Sequence, residues 1–263
     1  MDLLRLSFAG VTPHEYKVLA GGGKMEAAGG LREKVFQAKG MDRGRVTGML
    51  ESKGIGHITM EDAEYPDLLK QIYDPPLVLY YRGNISLLEK RMLGIVGSRK
   101  ATAYTRIVLQ NIIPEIHGLA VVSGLAYGAD DMAHNIAMAH GLDTVGVLAF
   151  GHDIHYPRST RDTRNRMERD GLVISEYPPD VQIAKWRFIA RNRIIAGMSM
   201  GVLVTEAEAK SGSLITLDMA LNENRHTYCV PGNIHAPQSK GTNGRLREGA
   251  KMVLSGRDIM EDF

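Results

Sequence analysis

The sequence predicts an α/β protein whose main domain is a doubly wound, mostly parallel sheet of the extended Rossmann-like type, preceded by a small helical N-terminal region. From residue 92 onward, short apolar segments alternate with longer segments of helical periodicity. Nearly every apolar segment is followed by glycine or a small polar residue. The apolar segments lack polar alternation, which is typical of strands buried on both faces of a parallel sheet.

Length and composition limit the classes of protein to consider. The 263 residues suffice for one large domain and one small one. The formal charge of +2 is too small to indicate a nucleic-acid partner by itself. The single cysteine, Cys229, excludes an internal disulfide and is typical of a reducing compartment. Asp2 and the lack of a long apolar N-terminal stretch predict a cytoplasmic protein that is neither exported nor membrane-spanning.

Residues 1–60 are predicted to form the small helical region, and residues 61–263 the Rossmann-like domain. In residues 1–60, helical periodicity occurs in short pieces, broken by glycines at 21–23 and 29–30. Segment 53–59, which contains two glycines, resembles the end of a helical hairpin; such a turn either contacts DNA backbone or is only a turn. A short helix after Pro66, a linker at Pro75-Pro76 and a strand-like segment at 77–83 lead into the main domain.

In the main domain, predicted strands and crossover helices alternate along the chain. The strands are predicted at 93–96, 120–123, 144–149, 172–175, 201–205 and 227–230, with 252–254 as the candidate edge strand. The helices between them are predicted at 104–117, 129–140, 161–170, 191–198 and 214–222. The ligand of such a sheet binds outside the carboxyl ends of its strands.

The first of these strands runs into Gly97-Ser98-Arg99, a turn suited to an anion. Glycine lets the backbone approach a ligand closely, Ser98 and the backbone amides can donate hydrogen bonds, and Arg99 offers a planar fork to phosphate oxygens. Thr102 is predicted to cap the next helix. The spacing matches neither Gly-x-Gly-x-x-Gly nor the Walker pattern, so it does not indicate a dehydrogenase or an ATPase. The alternative interpretation is a tight turn with a surface arginine.

Similar turns follow other predicted strands. Ser123-Gly124 and Gly151 each follow an apolar segment, and Ser211-Gly212-Ser213 precedes a helix. A helix N-terminus presents unpaired N–H groups and the positive end of the helix dipole, so this last turn is a second candidate phosphate site. The strand ends together predict a shallow cleft open to an extended ligand.

Cations and aromatic residues are interleaved upstream of this last turn. Between residues 151 and 193 there are nine Lys and Arg residues against six acids. Tyr156, Trp186 and Phe188 lie among them, and single-stranded nucleic acid needs this combination, because bases stack on aromatic rings while cations follow the backbone. The alternative is that Trp186 and Phe188 are ordinary core residues.

The acids and histidines indicate no metal site, cofactor or catalytic triad. His152 and His155 lack a third ligand at helical spacing. His134 is predicted to be a packed helix residue. Glu206 follows a strand at the cleft and is the best candidate for acid chemistry, although it could equally orient neighbouring basic side chains.

Taken together, the motifs resemble the bacterial DNA-processing protein A family, known as DprA or Smf. The resemblance covers about residues 60–256, with the motifs in the family's order. The matching motifs include Val96-Gly97-Ser98-Arg99, Ser123-Gly124-Leu125-Ala126, Ser175-Glu176-Tyr177-Pro178, Arg191-Asn192-Arg193, Glu206-Ala207, Ser211-Gly212-Ser213 and Val230-Pro231-Gly232.

The resemblance implies a domain that binds single-stranded DNA without catalysing a reaction. It implies roles in natural transformation and recombination: protecting incoming strands and loading the RecA recombinase, usually as a homodimer. Arg187 and Arg191 would line the path of the strand, with Phe188 near a base. The predicted DNA-binding residues are Gly97, Ser98, Arg99, Ser123, Gly124, Lys185, Arg187, Phe188, Arg191, Asn192, Ser211, Gly212 and Ser213.

The chain departs from the family pattern at several positions. Tyr127 stands where the family has arginine, Ala129 where it has isoleucine, and Ile189-Ala190 where it has Pro-Arg. The two lost arginines predict a weaker grip on phosphate. The C-terminal winged-helix domain of many relatives is not expected here.

The alternative function is a Rossmann-like enzyme that hydrolyses nucleoside monophosphates, with Glu206 as its acid. Such enzymes resemble a Pro-Gly-Gly-x-Gly-Thr pattern, and this chain has Ser211-Gly212-Ser213 in its place.

Overall fold

The computed structural model describes residues 2–21 and 30–263. The glycine breaks predicted at 21–23 and 29–30 fall largely on residues 22–29, outside the described residues. Across the two described ranges, no helix has both the length and the apolar composition needed to cross a membrane.

In the described part of the N-terminal region, the chain forms four short helices. They are α1 (Leu3–Phe8), α2 (Pro13–Ala20), α3 (Leu31–Gly40) and α4 (Arg43–Ser52). Side chains cap the starts of α2 and α4: Thr12 and Glu15 form a capping box on α2, and Asp42 accepts hydrogen bonds from the first turn of α4. Their apolar faces pack together and onto the neighbouring strand, with Leu4 and Leu31 fully buried.

Within the described residues, nine strands form one sheet. They are β1 (Gly56–Thr59), β2 (Val78–Gly83), β3 (Met92–Val96), β4 (Ala120–Ser123), β5 (Thr144–Leu148), β6 (Leu172–Ser175), β7 (Gly201–Val204), β8 (His226–Cys229) and β9 (Lys251–Met252). Their order is β1-β2-β6-β5-β4-β3-β7-β8-β9. The β1–β2 and β2–β6 pairs are antiparallel and the other pairs are parallel. The predicted α/β fold with a mostly parallel sheet is confirmed.

Helices cover both faces of this sheet. They are α5 (Asp67–Lys70), α6 (Ala103–Ile112), α7 (Ala129–Ala139), α8 (Arg161–Asp170), α9 (Lys185–Met198), α10 (Gly212–Asn222), α11 (Lys240–Arg247) and α12 (Gly256–Met260), with 3-10 turns at Ile85–Glu89, Ile113–Glu115, Arg158–Thr160 and Pro237–Ser239. Because side chains alternate along a strand, Leu93 and Ile95 of β3 pack against α6 and α7, whereas Met92 and Val96 join the core under α9 and α10.

Two local predictions were wrong. Segment 53–59 does not end a helical hairpin: Gly54, with φ +63°, turns the chain out of α4, and β1 then pairs with β2. Helix α9 begins at Lys185, six residues before the predicted start at 191. β1 adds residues before position 61 to the sheet, so the boundary at 60/61 stays a prediction.

Candidate nucleic-acid interface

The central cleft opens at the carboxyl ends of β3 and β7, where the strand order reverses. From β3, the chain builds the sheet through β4 to β6 on one side and through β7 to β9 on the other. Ligands of open α/β sheets bind in the crevice at such a switch point. The cleft has a volume of about 730 Å³. Its walls are the turn after β3, the first turns of α9 and the start of α10.

The turn after β3 forms one wall of the central cleft. A Cβ on Gly97 would lie 2.6 Å from a threonine hydroxyl at the end of β7, so this close packing requires glycine. The Ser98 N–H donates to the carbonyl oxygen of Glu206 over 2.8 Å. The Ser98 hydroxyl accepts a hydrogen bond from the Lys100 N–H over 3.0 Å. This bonding fixes the turn and leaves the Arg99 side chain exposed.

The start of α10 forms the opposite wall. The Ser211 hydroxyl accepts a hydrogen bond from the Ser213 N–H over 3.4 Å and lies 2.8 Å from the Ser213 hydroxyl. Gly212 is exposed, with no atom within 4 Å of the place its Cβ would occupy. The Asn192 side-chain amide donates to the Gly212 carbonyl over 3.4 Å. The backbone at this helix start is open to a ligand, and the helix dipole favours a negative one.

Four exposed cations line the central cleft: Arg99, Lys100, Lys185 and Lys210. In the described part of the chain, none of the four forms an ion pair within 4.0 Å. Cations without an acidic partner keep their full charge for a ligand, and a narrow cleft between protein walls concentrates the resulting potential. The central cleft is therefore suited to a polyanion.

Glu208 is the one exposed acid among the described residues that line the cleft, and it accepts a hydrogen bond from the Gln238 side-chain amide over 2.9 Å. Two further acids, Glu206 and Asp130, are held by hydrogen bonds inside the protein. Glu206 is 4% exposed, and its carboxylate accepts hydrogen bonds from the Thr102 N–H and the Thr105 hydroxyl, both over 2.7 Å. Glu206 therefore fastens the start of α6 to the end of β7. Asp130 is also buried and accepts a hydrogen bond from the Gly124 N–H over 3.2 Å. Burial raises the pKa of Asp130.

Three predicted contact residues lie beneath the cleft, with their polar groups engaged inside the protein. Arg191 is 5% exposed, and its guanidinium donates to the carbonyl oxygens of Gly124 over 2.6 Å and Val147 over 2.5 Å. Burial lowers the pKa of Arg191 to about 10, so it stays charged at neutral pH. The Ser123 hydroxyl donates to the Ile95 carbonyl over 2.6 Å. Ser123, Gly124 and Arg191 thus shape the cleft from below, and their contact with the strand stays a prediction.

Helix α9 separates the central cleft from a second one, which we call the rear cleft. Lys185, Phe188 and Asn192 face the central cleft, whereas Arg187 faces the rear cleft because one helical step turns a side chain by about 100°. The Arg187 guanidinium carbon lies 5.1 Å from the centre of the Tyr177 ring, and the guanidinium donates to a backbone carbonyl. Arg187 thus lines the rear cleft, and its place along the path of the strand stays a prediction.

The rear cleft is larger, about 1150 Å³, but its charges suit a polyanion less well. Arg193 forms ion pairs with Glu176 over 2.5 Å and Asp74 over 3.0 Å. Two further acids, Asp180 and Glu223, line its wall. Ion pairing and unpaired acids lower the positive potential there, so the chemistry favours the smaller central cleft despite the difference in volume.

Aromatic rings line one end of the central cleft. Phe188 has its ring centre 5.9 Å from that of Tyr156 and 6.3 Å from that of Phe150. The guanidinium carbon of Arg99 lies 5.5 Å from the centre of the Phe188 ring. Phe188 is therefore not an ordinary core residue. It is half-buried, packs one edge on Phe150 and lines the cleft.

Sequence reasoning did not include two cations of the cleft. Lys100 directly follows Arg99 after β3, and Lys210 directly precedes the turn at the start of α10. Both lie in loops after the carboxyl ends of strands, where a ligand is expected, and this position could have identified them from the sequence. Tyr156 was recognised as an interleaved aromatic residue but was not placed in the site.

Two of the histidines considered as ligands or bases are buried. Burial lowers the pKa of His134 to about 3, and its Nδ1 lies 2.7 Å from the Thr144 hydroxyl. His134 is thus the packed helix residue that the sequence predicts. Burial also lowers the pKa of His152 to about 3. Among residues 2–21 and 30–263, no group of three or more His, Cys, Asp or Glu side chains is arranged to hold a metal ion.

Comparison with known sequences finds one family and several relatives that carry the same family name. A sequence model of a family described as DNA recombination-mediator protein A matches residues 56–263. The DNA processing protein DprA of Bacillus subtilis is 41% identical over 222 residues, which are 83% of this chain and 75% of that protein. The DprA protein of Streptococcus pneumoniae is 41% identical over 200 residues, which are 76% of this chain and 71% of that protein.

Comparison with solved structures agrees. The crystal structure of DprA from Streptococcus pneumoniae superposes with a TM-score of 0.91 at 32% identity, covering 100% of this chain and 98% of that one. A structure of DprA from Helicobacter pylori, reported for its single-stranded DNA binding mode, gives a TM-score of 0.71 at 28% identity. That likeness covers 78% of this chain and 94% of the Helicobacter chain.

Proposed function

Because this chain belongs to the DNA recombination-mediator protein A family, we propose that its central cleft binds single-stranded DNA and that the protein passes the strand to the RecA recombinase. In this proposal the protein is cytoplasmic, protects incoming strands during natural transformation and recombination, and catalyses no reaction. It rests on the family, on the single-stranded DNA binding mode of the Helicobacter relative and on the chemistry of the cleft.

The observation that carries the proposal is the set of four cations without ion-pair partners that line the cleft between the β3 turn and the exposed start of α10. Arg99 and Lys100 project from the β3 turn, Lys185 from α9 and Lys210 from the loop before α10. A strand in this cleft would meet a cation on each wall, while Phe188 offers a ring to a base. Phosphate contacts and base stacking are the two sources of affinity in sequence-tolerant single-strand binding.

We expect the protein to bind labelled single-stranded oligonucleotides more tightly than the corresponding duplexes. Contact with four phosphates predicts that the logarithm of affinity falls with the logarithm of salt concentration with a slope of about −3. Fluorescence anisotropy across a salt series measures both quantities. Trp186, the single tryptophan of the chain, lies on α9, the helix between the two clefts, and lines the rear cleft; its fluorescence gives an independent signal from this helix. Equal affinity for single strand and duplex, or a slope near zero, would contradict the proposal.

The non-enzymatic part of the proposal has its own test. Glu206, the acid of the alternative hydrolase function, is occupied by the Thr102 and Thr105 donors in this fold. We therefore expect no release of free base when the protein is incubated with nucleoside monophosphates. Base release that disappears in Glu206→Gln, with the fold intact, would replace the binding function by the enzymatic one.

We also propose that the protein acts as a homodimer through the sheet edge at β9. Met252 of this edge strand and Leu254 just after it are 50% and 72% exposed. Ile234, in the loop after the neighbouring strand β8, is 76% exposed. Apolar side chains gathered at an open sheet edge are typical of an association surface. Sedimentation of the wild type and of Leu254→Glu tests it: a wild-type monomer at micromolar concentration would exclude this dimer.

A further inference from the structure

A small recess extends the central cleft beyond Phe188, and we call it the aromatic notch. Its volume is about 60 Å³. Arg99, Tyr156 and Phe188 line both the central cleft and the notch, so the two spaces are continuous. The remaining lining residues include Tyr127 and the apolar residues Leu125, Ala149, Phe150 and Pro157.

Two tyrosine rings at this notch remain exposed to solvent. Tyr127 is 59% exposed and Tyr156 is 44% exposed. The apolar residues behind them are buried, with Leu125 and Phe150 each 2% exposed. The two rings are therefore not part of the core. They lie beside a recess with an apolar floor and are available to stack with a flat partner.

The turn that carries Tyr127 is rigidly held. Leu125 has φ +53°, a left-handed conformation that a branched side chain rarely adopts, and Gly128 has φ +89°. The Asp130 carboxylate accepts hydrogen bonds from the N–H groups of Gly124 and Ala126 over 3.2 and 3.4 Å. The buried guanidinium beneath this turn donates to the Gly124 carbonyl. A ring presented by a fixed turn loses little conformational entropy when a partner stacks on it.

The charges around the notch identify the partner. The residues that line it include one cation, Arg99, and no acid. The notch opens into the space where four unpaired cations would hold a sugar-phosphate backbone. A flat aromatic group attached to a polyanion fits both features, and a nucleobase of the bound strand is such a group.

We propose that a nucleobase of the bound single strand enters the aromatic notch and stacks on Tyr127 and Tyr156, next to the base that contacts Phe188. This proposal rests on single-strand binding in the central cleft. The notch supplies base contacts that do not depend on salt, in addition to the phosphate contacts of the cations. Because every base has a π face, such stacking is tolerant of sequence.

The test compares Tyr127→Ala and Tyr156→Ala with wild type, using an oligonucleotide of thymidines and one of equal length in which every base is missing. Each variant is expected to bind the thymidine strand roughly five- to 150-fold more weakly, the range for one stacked base, with the same salt slope as wild type. On the strand without bases, each variant and wild type are expected to bind equally. Tyr127→Phe keeps the ring and is expected to retain most of the affinity.

The matched control is Tyr73→Ala, which removes a tyrosine that is 71% exposed and lines neither cleft nor notch. Full binding of the thymidine strand by both notch variants would overturn the notch while leaving single-strand binding intact. A loss in Tyr127→Phe as large as in Tyr127→Ala would assign the contact to the hydroxyl and overturn stacking. Failure of the wild type to bind single strands would instead reject the function on which the notch depends.

Discussion

Replacing Arg191 by alanine is expected to lower the free energy of unfolding by about 3–5 kcal/mol, because it removes a buried compensating charge and leaves buried acceptors without donors. Arg191 is 5% exposed and its positive charge offsets the buried Asp130 carboxylate. Its guanidinium also donates to the carbonyl oxygens of Gly124 and Val147, which would lose these donors. Urea denaturation followed by circular dichroism measures the effect as a lower midpoint with an unchanged slope.

The control for this variant is Asn192→Ala on the same helix. Asn192 is half-buried and makes two long hydrogen bonds, donating to the Gly212 carbonyl over 3.4 Å and accepting from the Arg191 Nε over 3.3 Å. Its removal leaves no buried charge uncompensated and is expected to cost about 1 kcal/mol. If Arg191→Ala were as stable as wild type and yet lost its affinity for single strands, Arg191 would have to contact the DNA directly. That result would restore the role that the sequence predicts for this residue.

The double substitution Arg99→Ala with Lys185→Ala is expected to weaken single-strand binding on the order of 100-fold or more at physiological salt, since each side chain would lose a charge-assisted contact worth about 1.5 kcal/mol or more. The magnitude of the salt slope is expected to fall by about 1.4, two phosphate contacts at 0.7 each. Because both side chains are exposed, the melting temperature is expected to stay close to that of wild type. Anisotropy titrations at several salt concentrations measure both changes.

A matched control removes the same charge from the opposite edge of the sheet. Lys90 and Arg91 directly precede β3, whereas Arg99 follows it. Lys90→Ala with Arg91→Ala is expected to leave the salt slope within about 0.3 of the wild-type value, since exposed charges more than a Debye length of about 10 Å from the strand are largely screened. An equal loss of slope in both double variants would attribute binding to net charge and would remove Arg99 and Lys185 from the site.

The sequence predicted the sheet well because its strands are buried on both faces. The observed bounds of β4 and β6, Ala120–Ser123 and Leu172–Ser175, agree with the prediction residue for residue. Continuous apolar segments that end at a small polar residue leave little freedom in placing such a strand. The start of α9 was missed because its first turns face two clefts, so Lys185–Ala190 shows no single apolar face.

The surroundings of the buried polar residues could not be predicted. The family resemblance implies that Arg191 lines the path of the strand, and arginine is rarely buried. In the structure, backbone carbonyls that converge beneath the β4 turn hold it inside, and no local pattern in the sequence reveals that convergence. The structural role of Glu206 could not be predicted for the same reason, because its hydroxyl and amide partners lie about a hundred positions earlier in the chain.

In the proposed binding mode, the contact between Arg99 and the Phe188 ring links the phosphate site to the base site. The guanidinium carbon lies 5.5 Å from the centre of the ring, so each group is a contact partner of the other within the protein. A phosphate that draws the guanidinium away uncovers the ring, and a base that stacks on the ring releases the guanidinium for phosphate. A ligand that carries both a phosphate and a base gives the guanidinium and the ring each a new contact for the one they lose. Inorganic phosphate or a free nucleoside replaces the lost contact of only one of these two groups.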